Sequence, residues 1–190
     1  MAAMWFKRQH LAIALLFLAS ACAQPGPERV VERRETQAPA ARGEALLRGA
    51  VIDSHNVARA AVGTPPIAWS DALAVSARAY AEEMARTGRF EHAHQPMGPG
   101  RQGENLWTGT RDAYDYAEMM GHWLAERKDF VNLPVPAASR TGTFGDVGHY
   151  SQIVWRGSTE VGCALASNAR DDYLVCRYSP PGNVVGWRAY

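Results

Sequence analysis

Several things are scarce in this sequence, and each shortage narrows the reading. Only three cysteines, Cys22, Cys163 and Cys176, occur in 190 residues, so stability must come from a core rather than from a dense disulfide framework. The formal net charge is +1, which lacks the electrostatic footprint of a nucleic-acid binder. The apolar run at residues 11–18 falls short of the roughly 20 residues that a bilayer-spanning helix needs. No internal repeat is visible. Neither Gly-x-Ser-x-Gly nor His-Glu-x-x-His occurs, which removes the two most recognisable hydrolase signatures.

What is present describes an exported chain with one domain. The length suits a single core, and 47% hydrophobic with 21% charged residues is a globular balance. Six tryptophans and seven tyrosines read as core rather than as a binding box. Residues 1–22 read as a signal peptide, with Lys7 and Arg8 ahead of the apolar run and Ala19-Ser20-Ala21-Cys22 after it. Ala19-Ser20-Ala21 fits an ordinary signal peptidase. The same residues ending in Cys22 resemble a lipobox, although Ala19 stands where Leu is usual. Cysteine arithmetic favours the lipobox: a lipidated Cys22 leaves Cys163 and Cys176 as an even pair in an oxidising compartment. The expected localisation is the cell envelope, as an outer-membrane or periplasmic lipoprotein, or secretion. Residues 23–43, rich in Pro, Gly and charge, read as a flexible tether.

The domain is expected over 44–190. Residues 44–62 place Leu47, Val51, His55 and Ala58 on one helical face, and Gly63-Thr64-Pro65-Pro66 ends the run. Ser70 is expected to cap a second helix carrying Leu73, Ala77, Tyr80, Ala81 and Met84, closed by Gly88. Residues 89–111 read mostly as loop. Asp112 is expected to cap a third helix that buries Tyr116, Met119, Met120, Trp123 and Leu124. Beyond the loop at 131–147 the pattern turns to period 2, with β-rich runs at 150–156, 161–167 and 173–178. Helices followed by an antiparallel meander imply an α+β fold.

Four motifs lie in order along this domain: His55-Asn56-Val57-Ala58-Arg59, Gly103-Glu104-Asn105-Leu106-Trp107, the run Gly-His-Tyr-Ser-Gln-Ile-Val-Trp at 148–155, and a run from Leu174 through Cys176-Arg177-Tyr178 to Gly186-Trp187. Together they resemble the signatures of the CAP superfamily of cysteine-rich secretory proteins, antigen 5 and type-1 pathogenesis-related proteins. The resemblance implies a three-layer α-β-α sandwich. It also implies a central cavity with two His and two Glu, which map by motif to His92, Glu104, Glu126 and His149. His94 is a neighbouring alternative to His92, and Glu126 is carried over by its spacing from Trp123. Neutral imidazoles with carboxylates suit zinc or another divalent cation. The alternative is a polar cluster in which each His simply bonds a Glu. Cys163 and Cys176 lie in successive strand-like runs and match the family's Gly-Cys and Cys-x-Tyr positions, so a disulfide is expected. The further cysteines of the eukaryotic relatives are missing.

Three functions follow as expectations. The first is a non-enzymatic binding protein for a lipid, a sterol or a protein partner, with the 131–147 loop (Leu133, Val135, Phe144) as a candidate apolar contact. The second is a hydrolase using Glu104, His149 and Ser151, or a bound metal. The third is a structural envelope protein attached through a lipid on Cys22. His55 and Arg59, one turn apart, read as helix-to-loop or helix-to-sheet hydrogen-bonding groups, and Asn105 as a loop organiser. In the 148–155 run, Ile153 and Trp155 are assigned to packing.

Overall fold

A computed structural model describes residues 38–190. The expected signal peptide, Cys22 and the first part of the 23–43 tether lie outside the described residues. Residues 40–43 of that tether are fixed against the domain. The Ala40 amide donates to the Asp112 carbonyl, and Arg42 pairs at 2.7 Å with the buried Asp172 carboxylate. No helix among the described residues is long and apolar enough to cross a membrane.

Helix α1 (Glu44–Ala60) buries Leu47, Val51, His55 and Ala58, the stripe its periodicity predicts, together with Arg59. Strand β1 (Ala68–Trp69) is brief. Helix α2 (Asp71–Thr87) buries Leu73, Ala77, Ala81 and Met84 and ends at Gly88 in the left-handed conformation (φ 71°) that glycine adopts most readily. Ser70 occupies the N-cap of α2 without making a side-chain capping bond. Helix α3 (Tyr116–Ala125) is capped by Asp115, three residues beyond the expected Asp112. Asp115 and Glu118 form a reciprocal capping box. Asp112 instead takes a positive φ of 58°, and its amide donates to Asp172.

Two stretches differ from the sequence expectation. Residues within 89–111, read as loop, contain strand β2 (Gly103–Thr110). Its glycines weaken the local β signal, yet Gly103 is required by packing: a Cβ there would lie 2.4 Å from Gln152 Oε1. The run at 150–156, read as a strand, is helix α4 (Gly148–Ile153). Its β-rich residues are overruled by tertiary contacts that bury Tyr150, Ser151, Gln152 and Ile153 together. The packing role holds, with Ile153 and Trp155 both in the core.

Strands β3 (Glu160–Ser167) and β4 (Asp171–Ser179) follow. The sheet order is β1-β3-β4-β2. The three long strands pair antiparallel, but β2, from ahead of α3, joins β4 in place of the expected meander over 150–178, while β1 adds a two-residue parallel ladder to β3. The sheet is therefore mixed at one edge, and β2 is the other edge. Alternation along the strands sorts side chains into two layers. Leu106, Ala164, Tyr173 and Val175 pack with Ala77, Ala81 and Met84 of α2. Trp107, Cys163, Leu174, Cys176 and Tyr178 face a larger core built with α1, α3 and α4. This is the α-β-α sandwich. At Gly162 the α2 layer comes so close that a Cβ would lie 2.3 Å from the Ala74 amide nitrogen. Cys163 and Cys176 stand opposite each other in the β3–β4 ladder and form a disulfide.

Candidate functional site

The four residues expected to form one cavity are arranged as two His–Glu dyads flanking the edge strand β2. Glu104 follows Gly103 on β2, and alternation turns it to the α2 face. Its Oε1 accepts from His92 Nδ1 at 2.6 Å and from the Ala93 amide at 3.0 Å. The two acceptor contacts fix the loop before β2 onto the strand. His92 remains largely exposed (66%) while the Glu104 side chain is 5% exposed. Beneath Glu104 lies Arg177, its cross-strand partner on β4. Arg177 Nη1 stands 2.8 Å from Glu104 Oε2, off the direction of a hydrogen bond, so the attraction is mainly Coulombic. Among the described residues neither Nη1, Nε nor Oε2 has an aligned hydrogen-bond partner. The Arg177 guanidinium also sits 5.2 Å from the centre of the Tyr80 ring. Burial pushes the Arg177 pKa down, and the Glu104 charge opposes that shift. Burial, with Glu104 next, pushes the Tyr80 hydroxyl up.

The second dyad is on the opposite face. Glu126 opens a short 3-10 turn (Glu126–Lys128) directly after α3, three residues from Trp123, so both side chains reach the same side. Its Oε1 lies 2.5 Å from His149 Nδ1, and its Oε2 accepts from the Tyr150 amide at 2.9 Å. The carboxylate thus holds the imidazole and satisfies an otherwise unpaired amide in the first turn of α4. Trp123 stacks on the His149 ring at 5.6 Å with planes 14° apart. Asn105, whose neighbour Glu104 faces the other way, donates from Nδ2 to the His149 carbonyl at 3.1 Å and to the Tyr178 hydroxyl at 3.1 Å. Tyr178 in turn meets His55 Nε2 at 2.9 Å, while His55 Nδ1 reaches the Val51 carbonyl at 2.8 Å. With Nδ1–H donated to the carbonyl, Nε2 accepts from the tyrosine, and the chain is satisfied with a neutral imidazole. Burial lowers the His55 pKa to about 4 and pushes the Tyr178 hydroxyl far up.

Among the described residues no group of three or more His, Cys, Asp or Glu is arranged to hold a metal ion. Each dyad nevertheless uses Nδ1 toward its carboxylate, which leaves Nε2 as the remaining ligand atom of each ring. A cleft of about 630 Å³ opens beside the first dyad, lined by His92, Glu104, Gln95, Gln102, Gln152 and Asn183 among others. Gln152 is locked there, accepting from the Gly182 amide and donating to Ser158 Oγ.

Ser151 does not join His149 as a nucleophile. Helical geometry turns it about 200° from His149. Among the described residues its buried Oγ has no hydrogen-bond partner, and none is a base positioned to activate it. The apolar loop residues also separate: Val135 is buried, Phe144 packs on the core, and Leu133 is exposed. Arg59 proves to be a structural staple, as its helical position suggested. Arg177 lies within the Cys-Arg-Tyr motif, but its role escaped the sequence reading. The available signal was a lone charge inside an apolar strand run.

The family model described as "CAP: Cysteine-rich secretory protein family" matches residues 52–178. The chain is 39% identical to pathogenesis-related protein 1C of Nicotiana tabacum over 73% of this chain and 78% of that protein. It is 37% identical to a PR-1 type protein of Sambucus nigra over 73% of this chain and 79% of that protein. Among solved structures it is similar to the crystal structure of NaASP2 with Zn2+, at a TM-score of 0.64 and 24% identity, covering 77% of this chain and 86% of that one.

Proposed function

The chain belongs to the cysteine-rich secretory protein (CAP) family, and from that premise we propose an exported, non-enzymatic binding protein whose two His–Glu dyads take up a divalent cation such as zinc. The observation that carries this reading is the orientation of the two imidazoles. Each is held at Nδ1 by a carboxylate, His92 by Glu104 and His149 by Glu126. Carboxylate support of this kind fixes the tautomer and raises the basicity of the ring as a ligand. His92 in one dyad and His149 in the other would each offer Nε2, oriented by Glu104 and Glu126, with water completing the shell of a cation held there. A cation at the first dyad would add a positive charge beside the 630 Å³ cleft that His92 and Glu104 line. The zinc in the similar NaASP2 structure supports the same cation. Imidazoles bind metal only when neutral, which the carboxylate-held tautomer provides.

Equilibrium dialysis with zinc, comparing the wild type with His92→Ala plus His149→Ala, tests the reading. Stoichiometric binding lost in the double variant supports it; equal binding by both proteins removes this site.

A lipid or sterol as second ligand is favoured by a groove of about 430 Å³ between α1 and the end of α3. Val57, Ala58, Ala61 and Leu124 line it, with Asp53, Ser54, Arg127 and Tyr150 as its polar groups. Mass analysis of an organic extract of the purified protein checks this, and an extract free of lipid counts against it. Envelope anchoring through Cys22 is tested by intact-mass measurement of the membrane fraction, where a mature chain without acyl chains counts against it.

A further inference from the structure

The segment after β4 carries a surface that neither dyad uses. Val184, Val185 and Trp187 are three apolar residues within four positions, exposed by 42%, 75% and 68%, and Leu133 beside them is exposed by 42%. Their backbone is not free to turn them inward. The Val135 amide donates to the Trp187 carbonyl and the Gly186 amide to the Val135 carbonyl, each at 2.9 Å. The 131–135 loop and this segment are thereby laced together, with Val135 buried and Leu133, Val184, Val185 and Trp187 outward. Under Trp187 runs a cleft of about 560 Å³ with Arg156 and Arg188 in its walls. Both guanidiniums bind backbone carbonyls rather than carboxylates: Arg156 bonds Gly63 at 3.0 Å and Arg188 bonds Asn132 at 2.7 Å. Among the described residues no Asp or Glu side chain pairs with either guanidinium.

We infer that this surface, formed by Leu133, Val184, Val185 and Trp187 with Arg156 and Arg188, docks the domain on an anionic lipid bilayer. Three arguments commit it to that occupant. Contiguous exposed side chains of this size lose apolar hydration when they enter the acyl boundary. A tryptophan, with an apolar ring and one N–H, is suited to the headgroup level. The two arginines complement anionic headgroups, and each adds attraction only where the surface is negative. The surface is independent of the dyads, so loss of zinc binding leaves the inference standing.

The test uses the full chain and reads the surface directly. Emission of the wild type minus that of Trp187→Phe isolates Trp187, so any contact made by the N-terminal leader cancels. Vesicles of phosphatidylcholine, with and without phosphatidylglycerol, are added, some carrying brominated acyl chains. The expected result is a blue shift and bromine quenching of the Trp187 difference signal with phosphatidylglycerol vesicles. Arg156→Gln plus Arg188→Gln should weaken the vesicle dependence of that signal by roughly fivefold per arginine, the equivalent of about 1 kcal/mol each. A Trp187 signal indifferent to vesicles overturns the inference. So does an equal response to both lipid compositions, or a shift produced by soluble polyglutamate and not by vesicles, which would assign the surface to an acidic polypeptide. Unchanged far-UV circular dichroism confirms that the variants are folded.

Discussion

Replacing Arg59 should unfold the protein more easily than any surface change, and the reason can be worked through atom by atom. The side chain has no solvent exposure. Its Nε donates to the Pro65 carbonyl at 2.6 Å, Nη1 to Ile153 at 3.0 Å and Trp155 at 2.9 Å, and Nη2 to Ser158 at 2.9 Å. One guanidinium therefore ties α1 to the turn that follows it, to the end of α4 and to the approach to β3. Hydrogen bonds to a charged group contribute about 1.5–3 kcal/mol each, but members of a network do not add. Replacing a buried ion pair by apolar residues can be neutral, because both charges leave. Here the partners are backbone carbonyls, which no single substitution removes. Arg59→Met therefore removes the donor from the Ile153 and Ser158 carbonyls in the interior, while the Trp155 carbonyl keeps the Ser158 amide and the Pro65 carbonyl is nearer solvent. The expected loss is about 3 kcal/mol. Arg59→Lys keeps the charge but places all donors on one nitrogen, which cannot span acceptors arranged for a planar fork. It should recover less than half of the loss. Urea unfolding at neutral pH, followed by tryptophan emission with the disulfide intact, measures both variants. An unchanged m-value assigns the shift to stability rather than to the unfolded state. A loss below about 1 kcal/mol for Met, or a lysine variant equal to wild type, would refute the staple argument.

Two further outcomes follow from the same core. Burial depresses the His55 pKa from 6.5 to about 4, so between those values the unfolded chain binds a proton that the folded chain does not. The contribution is fully present above pH 6.5 and is lost as pH falls toward 4, by an amount on the order of 3 kcal/mol. Unfolding free energies at pH 7 and pH 4.5 should diverge less in His55→Gln than in wild type, and parallel losses in the two proteins would count against the assignment. The Cys163–Cys176 bond closes a sequence separation of 13. Replacing both residues with Ala should cost about 3 kcal/mol in the chain-entropy account, measured as a lower urea midpoint, and an unchanged midpoint would place the stabilisation elsewhere.

How much was legible beforehand depended on how local each signal was. The stripes of α1, α2 and α3 are short-range patterns of period 3.6, and they predicted the buried faces down to Val51, Ala77 and Met120. Gly88 stopped α2 because few other residues adopt its backbone angle easily. The strands carrying Cys163 and Cys176 were visible as apolar runs, and the spaced motifs were enough to identify the family and the fold class.

What lay beyond the sequence was set by contacts between distant segments. Residues 150–156 read as β-prone, yet Glu126 at the helix start and the burial of Tyr150, Ser151, Gln152 and Ile153 make 148–153 α4. Strand β2 hides among glycines at points of close approach, Gly103 against Gln152 and Gly109 against Trp107. His92, Glu104, Glu126 and His149 could be named from motifs. That they divide into two dyads across an edge strand, with Arg177 beneath one and Trp123 against the other, is decided by which face of the sheet each side chain leaves. Periodicity tells a residue which neighbours share its face. Only the packed chain brings residue 59 to four carbonyls near 65 and 153–158, because that juxtaposition exists in no local stretch of sequence.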